Sequence, residues 1–352
     1  MSHSFKKYSS ITNHYHKGFL IKIQESSGFN EAKEWIVTEK VHGYNFSFIV
    51  SKDRSVVVAG RNMIIKDFKQ FGHEEAVKQV RQKYNDRAIK LYDAIQEENQ
   101  NVTQITIYGE LFGGLYPTNK EGHPTTKPIF KEVLYHSDFD FYVFDVHTFF
   151  KDGSGAWLTH DVLDTILPKA GFSVYAKPLF RGSFEDALKF NVVLSSTIPS
   201  MFYNHPPLNT KNKETDPVAN IMEGVVIKPN INLFLSNGDR VVIKKKNEKF
   251  LEITKPNKDS SKQDEDVVLN KKTNGLWSEL KMYVTMNRMK STVSKMGCHA
   301  DEHSLVEEFE NDVLQEFGVD HQLKWSKINP HTRTLACKRV RKFGYEFVRE
   351  MK

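Results

Sequence analysis

The hydrophobic and polar positions of this chain form two patterns that meet near residue 250. Before that point, short apolar runs rich in Val, Ile, Phe, Tyr and Thr are bounded by polar turns, a pattern typical of β-strands. The predicted strands are 35–41, 45–51, 55–60, 104–111, 139–147, 223–228 and 240–246. Because the connections are short and irregular, the pattern favours antiparallel sheets over a doubly wound parallel sheet.

Helical spacing predicts helices among these strands and after them. Apolar residues recur at helical intervals in 74–98, and shorter helices fit 160–170 and 184–194, the second opened by Ser183 as an N-cap. After residue 250 the strand signals end. The amphipathic segments that predict helices there are 276–296, 301–317 and 331–350.

Two polar stretches interrupt the predicted elements. The first, 197–219, contains four prolines among Asn, Thr and Lys, which predicts an exposed loop. The second, 254–268, begins with a run that has almost no apolar residue and predicts a linker. The sequence therefore predicts an α+β fold of antiparallel sheets and flanking helices over 1–253, followed by a small all-α domain over 269–352.

Composition and charge exclude some classes of protein and leave others open. The 352 residues are 39% hydrophobic and 27% charged, and no apolar run approaches the roughly 20 residues that span a bilayer. A net charge of +6 permits a polyanionic partner without requiring one. The N-terminus lacks the apolar core of a secretory signal, and Cys298 and Cys337 match no metal-ligand spacing. We therefore expect a monomeric cytoplasmic protein with reduced thiols and no membrane partner.

Lys40 lies in the most informative segment of the chain. An apolar run leads into Glu39 and Lys40, Gly43 follows, and alternating apolar positions lead away. The lysine is therefore predicted at a bend between two strands, where glycine lets a ligand approach the backbone. An amine in that position suits use as a covalent nucleophile. The spacing Lys-x-x-Gly occurs twice more, from Lys69 and from Lys272, so it is not specific by itself.

Five further segments place polar or aromatic residues where a plain β-sheet does not require them. They are Gly60-Arg61-Asn62, Tyr108-Gly109-Glu110, Phe144-Asp145, Glu223-Gly224 with Lys228, and Lys244-Lys245-Lys246. Each alone has an ordinary explanation, such as a surface charge, a strand-end carboxylate, a core aromatic residue or lysines that protect a sheet edge. Together, and in this order after Lys40, His42 and Asn45, they are hard to explain in that way.

This ordered set resembles the nucleotidyltransferase motifs of covalent ATP-dependent polynucleotide ligases and capping enzymes. The match is closer still to the RNA ligase 2 family, in which the nucleophile motif is similar to Glu39–Phe46 of this chain. The opening Phe5–Ser10 with Asn13–Tyr15 also resembles the phage members of that family. The resemblance extends over nearly all of the first 250 residues and is weaker afterwards. It implies an ATP-grasp-like ligase fold for the first domain.

The resemblance implies a catalytic group made of three lysines and a histidine. Lys40 is the implied nucleophile, Lys244 and Lys246 hold the α-phosphate of ATP, and His42 acts near the pyrophosphate leaving group. A lysine amine attacks only without its extra proton, which nearby positive charge disfavours. The implied sources of that charge are the two further lysines and a Mg²⁺ or Mn²⁺ ion.

The same resemblance implies contacts to the nucleotide, the metal ion and RNA. Phe144 stacks on adenine and Glu39 lies against the base, while Glu110 hydrogen-bonds the ribose. Glu223 supports the metal ion, and Asn45 holds it through water. Arg61 contacts AMP or the 5′-phosphate of RNA. The implied nucleotide-binding set is Glu39, Lys40, Asn45, Arg61, Glu110, Phe144, Glu223, Lys244 and Lys246.

The implied reaction has three steps and uses ATP as a substrate. The lysine takes AMP and releases pyrophosphate, AMP passes to an RNA 5′-phosphate, and a 3′-hydroxyl then displaces AMP. The implied substrate is a 3′-hydroxyl/5′-phosphate break, preferably a nick in duplex RNA, as in viral RNA repair. The residues implied to contact RNA are Arg61, Lys228 and Arg288.

Basic residues recur along the helical tail. They are Lys281, Arg288, Lys290, Lys295, Lys324, Lys327, Arg333, Lys338, Arg339, Arg341 and Lys342. Their ordinary explanation is the solvated face of amphipathic helices, and their functional explanation is contact with RNA phosphates, which positions a duplex without reading its sequence. Arg288 is the strongest single candidate because it alone lies in matching local sequence.

Two departures and two alternatives accompany the resemblance. Tyr44 stands where the family usually has Thr or a small residue, and Gly60 stands where a basic residue is common. A DNA ligase or a capping enzyme is one alternative, and residues 39–46 and the lack of a recognisable oligonucleotide-binding barrel after residue 250 count against it. A non-catalytic RNA-binding relative is the other, and the intact Lys40 and Glu223 count against it.

Overall fold

A computed structural model describes residues 3–117, 128–206, 208, 218–253, 264–297 and 300–351 of the chain. The chain divides into two compact units: Met1–His14 with Ile23–Asn247, and Tyr15–Lys22 with Glu248–Lys352. These units differ from the predicted domains chiefly because the short segment Tyr15–Lys22 groups with the C-terminal part. None of the helices that the structure describes has both the length and the apolar character needed to cross a membrane.

Two five-stranded sheets form the first unit. Their strands are β1 Thr12–Asn13, β2 Trp35–Lys40, β3 Tyr44–Ser51, β4 Val56–Gly60, β5 Val102–Gly113, β6 Phe139–Phe150, β7 Gly155–Trp157, β8 Pro178–Gly182, β9 Gly224–Pro229 and β10 Ile243–Lys246. The first sheet has the order β1-β10-β9-β2-β8, and the second has the order β4-β3-β5-β6-β7. The named strands pair antiparallel, apart from β1 and β10, which run parallel.

A long helix covers one face of the second sheet. The helices before residue 250 are α1 Lys17–Gln24, α2 Phe68–Phe71, α3 Glu74–Glu98, α4 His160–Lys169, α5 Phe184–Lys189 and α6 Ile198–Tyr203. Val77, Val80 and Tyr84 of α3 belong to the same buried cluster as Phe48 of β3 and Phe141 of β6. These side chains lie on one face of each element because apolar positions follow the helical and strand periods. Their burial removes apolar surface from water, which is the main force that stabilises this unit.

Strand β2 lies inside the first sheet, between β9 and β8. Its side chains are buried from Trp35 to Glu39, and only Lys40 at its end is partly exposed. The Trp35 ring packs 4.5 Å from the Phe184 ring of α5, measured between centroids. A strand covered on both faces carries a nearly continuous apolar run, which explains the apolar sequence that leads into Lys40.

The second unit is helical. Its long elements are α7 Asp264–Lys272, α8 Leu276–Lys281, α9 Met286–Met296, α10 Glu302–Ser326 and α11 Pro330–Met351. Gly344 of α11 lies against α10, where a Cβ would come within 3.1 Å of side-chain atoms of Val306 and Phe309. Phe309 is fully buried in the core of this unit. The glycine therefore lets the two longest helices of the unit approach closely.

The predicted α+β class is confirmed, the helix 74–98 is observed with the predicted ends, and the predicted strands are observed with somewhat different ends. The short strands β1, β7 and β8 were not predicted. Predicted helix 184–194 ends at Lys189, helix 301–317 continues to Ser326, and 276–296 is divided into α8 and α9. The division occurs because Thr285 caps α9, accepting a hydrogen bond from the Arg288 N–H at 3.2 Å.

The structure corrects the predictions made for the two polar stretches. The predicted loop 197–219 begins with α6, whose Pro199 lies in the first turn, where a helix requires no backbone N–H. Residues 207 and 209–217 of this stretch lie outside the described residues, as do 254–263 of the predicted linker and Cys298. The rest of the linker is helical, because α7 begins at Asp264. Cys337 is a free thiol, as expected.

A buried ionic cluster in the second unit surrounds Arg288. Its guanidinium is fully buried and donates to Asp312 at 2.9 Å and to Glu316 at 3.1 Å, and Glu252 lies at 3.7 Å. Burial alone would lower the pKa of Arg288, but these carboxylates outweigh that effect and raise it. His16 also joins the cluster, contacting Glu316 at 3.0 Å. A buried charge of this kind requires its partners, because either sign alone would be left unpaired away from water.

We predict that Arg288→Met destabilises the protein by about 3–5 kcal/mol, because three carboxylates, at most 15% exposed, lose their shared cation. The matched change Lys324→Met, at an exposed position of α10, should alter stability by no more than about 0.5 kcal/mol. Urea unfolding followed by circular dichroism measures both. Equal stability of the two variants would show that the cluster does not hold this unit together.

Candidate active site

Lys40 ends β2, and its side chain is 21% exposed. The bend that follows is forced by close packing at Gly43. A Cβ there would lie 2.3 Å from the Leu111 carbonyl oxygen and 2.8 Å from a Glu110 side-chain atom, so no other residue fits. The predicted strand bend is therefore present, and glycine brings it against β5.

The other two Lys-x-x-Gly copies have a different structural cause. Gly72 ends α2 in the left-handed conformation with φ of 86°, and Gly275 precedes α8 with φ of 87°. Both glycines serve turns at helix ends, where a positive φ is required. The shared spacing thus arises from helix termini in these two places and from a strand bend at Lys40.

Glu223 is the buried carboxylate at the centre of the site. The Lys40 ammonium donates to one of its oxygens at 2.9 Å, and the Lys246 ammonium lies 3.0 Å from the other. His42 Nδ1 lies 3.4 Å from the oxygen that Lys40 contacts. Burial raises the pKa of Glu223, but Lys246 and Lys40 outweigh that effect and hold it well below the ordinary value. The carboxylate is therefore ionised and holds three residues together.

Sheet register explains this convergence. Lys40 pairs with Gly224 across β2 and β9, and Lys246 pairs with the same glycine across β9 and β10. Gly224 has φ of 155°, and a Cβ there would lie 2.2 Å from the Lys245 carbonyl oxygen. The residue just before Gly224 is Glu223, which therefore stands level with both lysines.

The three consecutive lysines of β10 divide between the two faces of their strand, since side chains alternate along a strand. Lys245 donates to the carbonyl oxygens of Leu188 and Phe190, at 2.7 and 2.8 Å, and burial lowers its pKa. Lys244 and Lys246 share the opposite face, where Lys246 contacts Glu223. The predicted pair is thus on one face and the intervening lysine anchors the other.

The segment 128–135 holds His42. The His42 backbone N–H donates to the Tyr135 hydroxyl at 2.8 Å, its ring stacks on Phe130 with centroids 4.3 Å apart, and its Nε2 lies 3.8 Å from Glu132. Burial lowers the pKa of His42, but the interactions with Glu132 and Glu223 outweigh it, and the pKa is raised. Sequence analysis missed Phe130, Glu132 and Tyr135.

Asn45, Glu110 and Arg61 lie on or directly after three adjacent strands of the second sheet. Asn45 of β3 stands directly opposite Glu110 of β5. Burial raises the pKa of Glu110 to about 7, although the Lys40 charge acts in the opposite direction. Arg61 follows β4 and donates to the Ser10 hydroxyl at 3.4 Å. The structure thus places a carboxylate, an amide and a guanidinium beside the Lys40 bend.

Glu39 is buried beneath the segment that opens α6. It accepts hydrogen bonds from the Ser196 hydroxyl at 2.5 Å, the Thr197 backbone N–H at 2.8 Å and the Thr197 hydroxyl at 2.7 Å. Burial raises its pKa although these donors favour ionisation. Ser196 and Thr197 were not predicted, and the prolines that suggested a loop there concealed them.

Phe144 lies on a different side of the second sheet from the α3 core. Its ring meets Tyr8 edge-on, with centroids 5.0 Å apart. Lys228 is buried behind it, donating to the Phe144 carbonyl oxygen at 3.2 Å and lying 3.5 Å from Asp145. Burial lowers the pKa of Lys228, and Arg240 contacts the same carboxylate at 2.6 Å.

Two residues that were predicted to contact RNA have structural partners instead of a solvent-facing position. Lys228 is 5% exposed and anchored at Asp145, and Arg288 is 0% exposed and lies in the second unit. In this structure each cation is paired with carboxylates, and its contact with RNA stays a prediction. Arg61 is the RNA candidate that stays with the site.

The donor chemistry at the Lys40 bend fits a hard divalent cation. Carboxylates of Glu223 and Glu110 and the amide of Asn45 offer oxygen ligands of the kind that Mg²⁺ and Mn²⁺ prefer. Among the described residues, no three His, Cys, Asp or Glu side chains form a metal cage of their own. Mg²⁺ usually keeps several waters and takes few protein ligands.

The arrangement is suited to the attack of an amine on a phosphate group. It holds a partly exposed amine beside a buried carboxylate, further cations that can neutralise phosphate oxygens, and carboxylates that can support a metal ion. Comparison with known proteins agrees with this chemistry. A family model described as RNA ligase matches residues 33–246, and a model described as T4 RNA ligase 2 C-terminal matches residues 267–342.

Individual relatives are more distant. The mitochondrial RNA-editing ligase 2 of Trypanosoma brucei brucei (strain 927/4 GUTat10.1) is 26% identical over 247 residues, which cover 64% of this chain and 55% of the relative. The match therefore spans about half the length of that relative. A mutant Naegleria gruberi RNA ligase with AMP and Mn is similar with a TM-score of 0.41 and 16% identity, over 70% of this chain and 57% of the other. An archaeal ATP-dependent RNA ligase is similar with a TM-score of 0.37 and 13% identity, over 97% and 63% respectively.

Proposed function

The chain belongs to the RNA ligase family, and we propose that it is an ATP-dependent RNA ligase that joins a 3′-hydroxyl to a 5′-phosphate. The observation that carries the proposal is the Glu223 carboxylate, which gathers Lys40, Lys246 and His42 at one strand end. A purely structural salt bridge does not require two lysines and a histidine around one carboxylate at a partly exposed strand end. A site that takes a nucleotide phosphate requires that positive charge.

In the first step, the Lys40 amine attacks the α-phosphorus of ATP. A nitrogen–phosphorus bond forms, the bond to the pyrophosphate oxygen breaks, and the amine loses a proton. Lys40 must leave its hydrogen bond to Glu223 to direct its lone pair at phosphorus. Lys246 and Lys244 neutralise oxygens of the α-phosphate, and His42 faces the departing pyrophosphate. Mg²⁺ or Mn²⁺, when bound through Glu223 and water on Asn45, supplies further charge neutralisation.

Base selection rests on Glu39. Its carboxylate only accepts hydrogen bonds, so it suits the 6-amino group of adenine and opposes the 6-oxygen of guanine. Phe144 offers the aromatic face for stacking, and Glu110 offers an acceptor for a ribose hydroxyl. This distribution of groups supports ATP over GTP as the nucleotide substrate.

The second and third steps use the same charges. AMP passes from Lys40 to the 5′-phosphate of RNA, giving a 5′–5′ pyrophosphate linkage, and the 3′-hydroxyl then displaces AMP. Arg61 is the proposed contact for the 5′-phosphate. We assign adenylation to the first unit and binding of the RNA duplex to the second. Helix α11 of the second unit carries the exposed residues Lys338 and Arg341. A nick in duplex RNA is the proposed preferred substrate.

We predict that the protein, incubated with Mg²⁺ and ATP labelled in the α-phosphate, acquires a covalent label that survives denaturation and mild alkali but is released by acid, as a nitrogen–phosphorus bond requires, and that is lost in Lys40→Ala. The reason is that, of the two lysines paired with Glu223, Lys40 has a side chain that is 21% exposed, whereas that of Lys246 is only 6% exposed. Lys69→Ala and Lys272→Ala are matched controls, because these lysines share the Lys-x-x-Gly spacing but lie near helix ends. Autoradiography of denaturing gels measures the label.

Label that persists in Lys40→Ala would refute the assigned nucleophile. Label from GTP in place of ATP would favour a capping-type enzyme. An unlabelled wild-type chain would favour a non-catalytic RNA-binding relative.

We also predict that the protein seals a nicked RNA duplex faster than a nicked DNA duplex of the same sequence. A-form RNA differs from DNA in shape and 2′-hydroxyls, which proteins use to recognise it. Gel analysis of a 5′-labelled strand at one salt concentration measures both rates, since phosphate contacts depend on salt. Equal sealing of the DNA nick would contradict the RNA preference, and faster joining of single-stranded ends would contradict the nick preference.

A further inference from the structure

Three residues of one short segment fix His42 from different directions. Tyr135 accepts the His42 backbone N–H, Phe130 lies under the ring with an interplanar angle of 30°, and Glu132 faces Nε2. The opposite ring nitrogen, Nδ1, faces Glu223 at 3.4 Å. Both edges and one face of the imidazole are therefore contacted, which restricts its two side-chain torsions.

This restriction bears on Lys40, because His42 and Lys40 approach the same oxygen of Glu223. Rotation of the imidazole away from Glu132 would change the space and charge around that oxygen. Glu223 contacts the ring at Nδ1, and Glu132 contacts it at Nε2 on the other side. The Glu132 side chain is 31% exposed, so water partly screens the pair and weakens its contribution to stability.

We propose that Glu132, together with Phe130, is a positioning residue that fixes the His42 ring for transfer of AMP to Lys40. The inference rests on the proposed function and adds residues to it. A carboxylate that contributes little to folding but orients a ring beside the nucleophile should affect the rate of the chemical step more than stability. Misplacement by about 1 Å can slow a positioned reaction about a hundredfold.

The test measures formation of labelled lysyl-AMP in a single turnover, over a range of ATP concentrations. Glu132→Ala should lower the maximal rate by about tenfold while the apparent KM for ATP stays unchanged. Glu132→Gln should restore most of the rate, because its amide oxygen can accept the same N–H that the carboxylate faces. Glu97→Ala, which removes an exposed carboxylate from the end of α3, is the matched control and should leave the rate unchanged.

A double-mutant cycle separates positioning from a general effect. In a His42→Gln background, Glu132→Ala should slow adenylation by less than about twofold, because the ring that it orients is gone. Phe130→Leu, which keeps an apolar side chain but removes the ring stack, should show the same loss of effect in that background. Thermal melting of each variant shows whether it is folded.

The inference is overturned if Glu132→Ala adenylates at the wild-type rate, if Glu132→Gln is as slow as Glu132→Ala, or if the losses add fully in the His42→Gln background. If Glu132→Ala does not fold, the Phe130→Leu cycle decides in the same way. A wild-type protein that acquires no label at all would instead contradict the proposed function. The two failures are therefore distinguishable.

Discussion

The site depends on one ionised carboxylate that is kept out of water. Glu223 is 2% exposed, and a carboxylate in that position is tolerated only with cations that repay its lost hydration. Lys40 and Lys246 supply them from the two strands on either side of β9, and His42 adds a third contact. This requirement fixes the register of β2, β9 and β10, because a one-residue slip would turn either lysine to the opposite face. The proposed chemistry uses the same cations.

Buried ionic groups also account for the positions of Lys228 and Arg288, whose contact with RNA stays a prediction. Asp145 requires Lys228 and Arg240, and the carboxylates around Arg288 require its guanidinium. Lys228 and Arg288 lie in motifs that are associated with substrate contact, and in this structure each neutralises carboxylates of the surrounding fold. Substitution of either residue can therefore lower activity through the fold. Lys228 supports the backbone of Phe144, and Arg288 supports the helical unit.

The sequence predicted those site residues that belong to short local motifs. The apolar run of β2, the bend at Gly43 and the ordered motif residues led to Lys40, His42, Glu223 and Lys246 as neighbours. Glu132, Phe130, Ser196 and Thr197 could not be predicted, because they lie on segments without periodicity and act only through tertiary contacts. The strands β1 and β7 contain too few residues to show alternation, and β8 begins at Pro178 and ends at Gly182, which weaken a strand signal. Burial of Arg288 could not be predicted either, since its acidic partners come from distant positions of the chain.

The central claim is that Glu223 assembles the cations with which Lys40 reacts. The most direct measurement is the single-turnover rate of lysyl-AMP formation in Glu223→Gln at saturating ATP and Mg²⁺, with Glu97→Gln as the control. The amide keeps the shape of the side chain but removes the charge that Lys40, Lys246 and His42 share. The account predicts a loss of at least about a hundredfold in a variant that remains folded. Adenylation at the wild-type rate would contradict it.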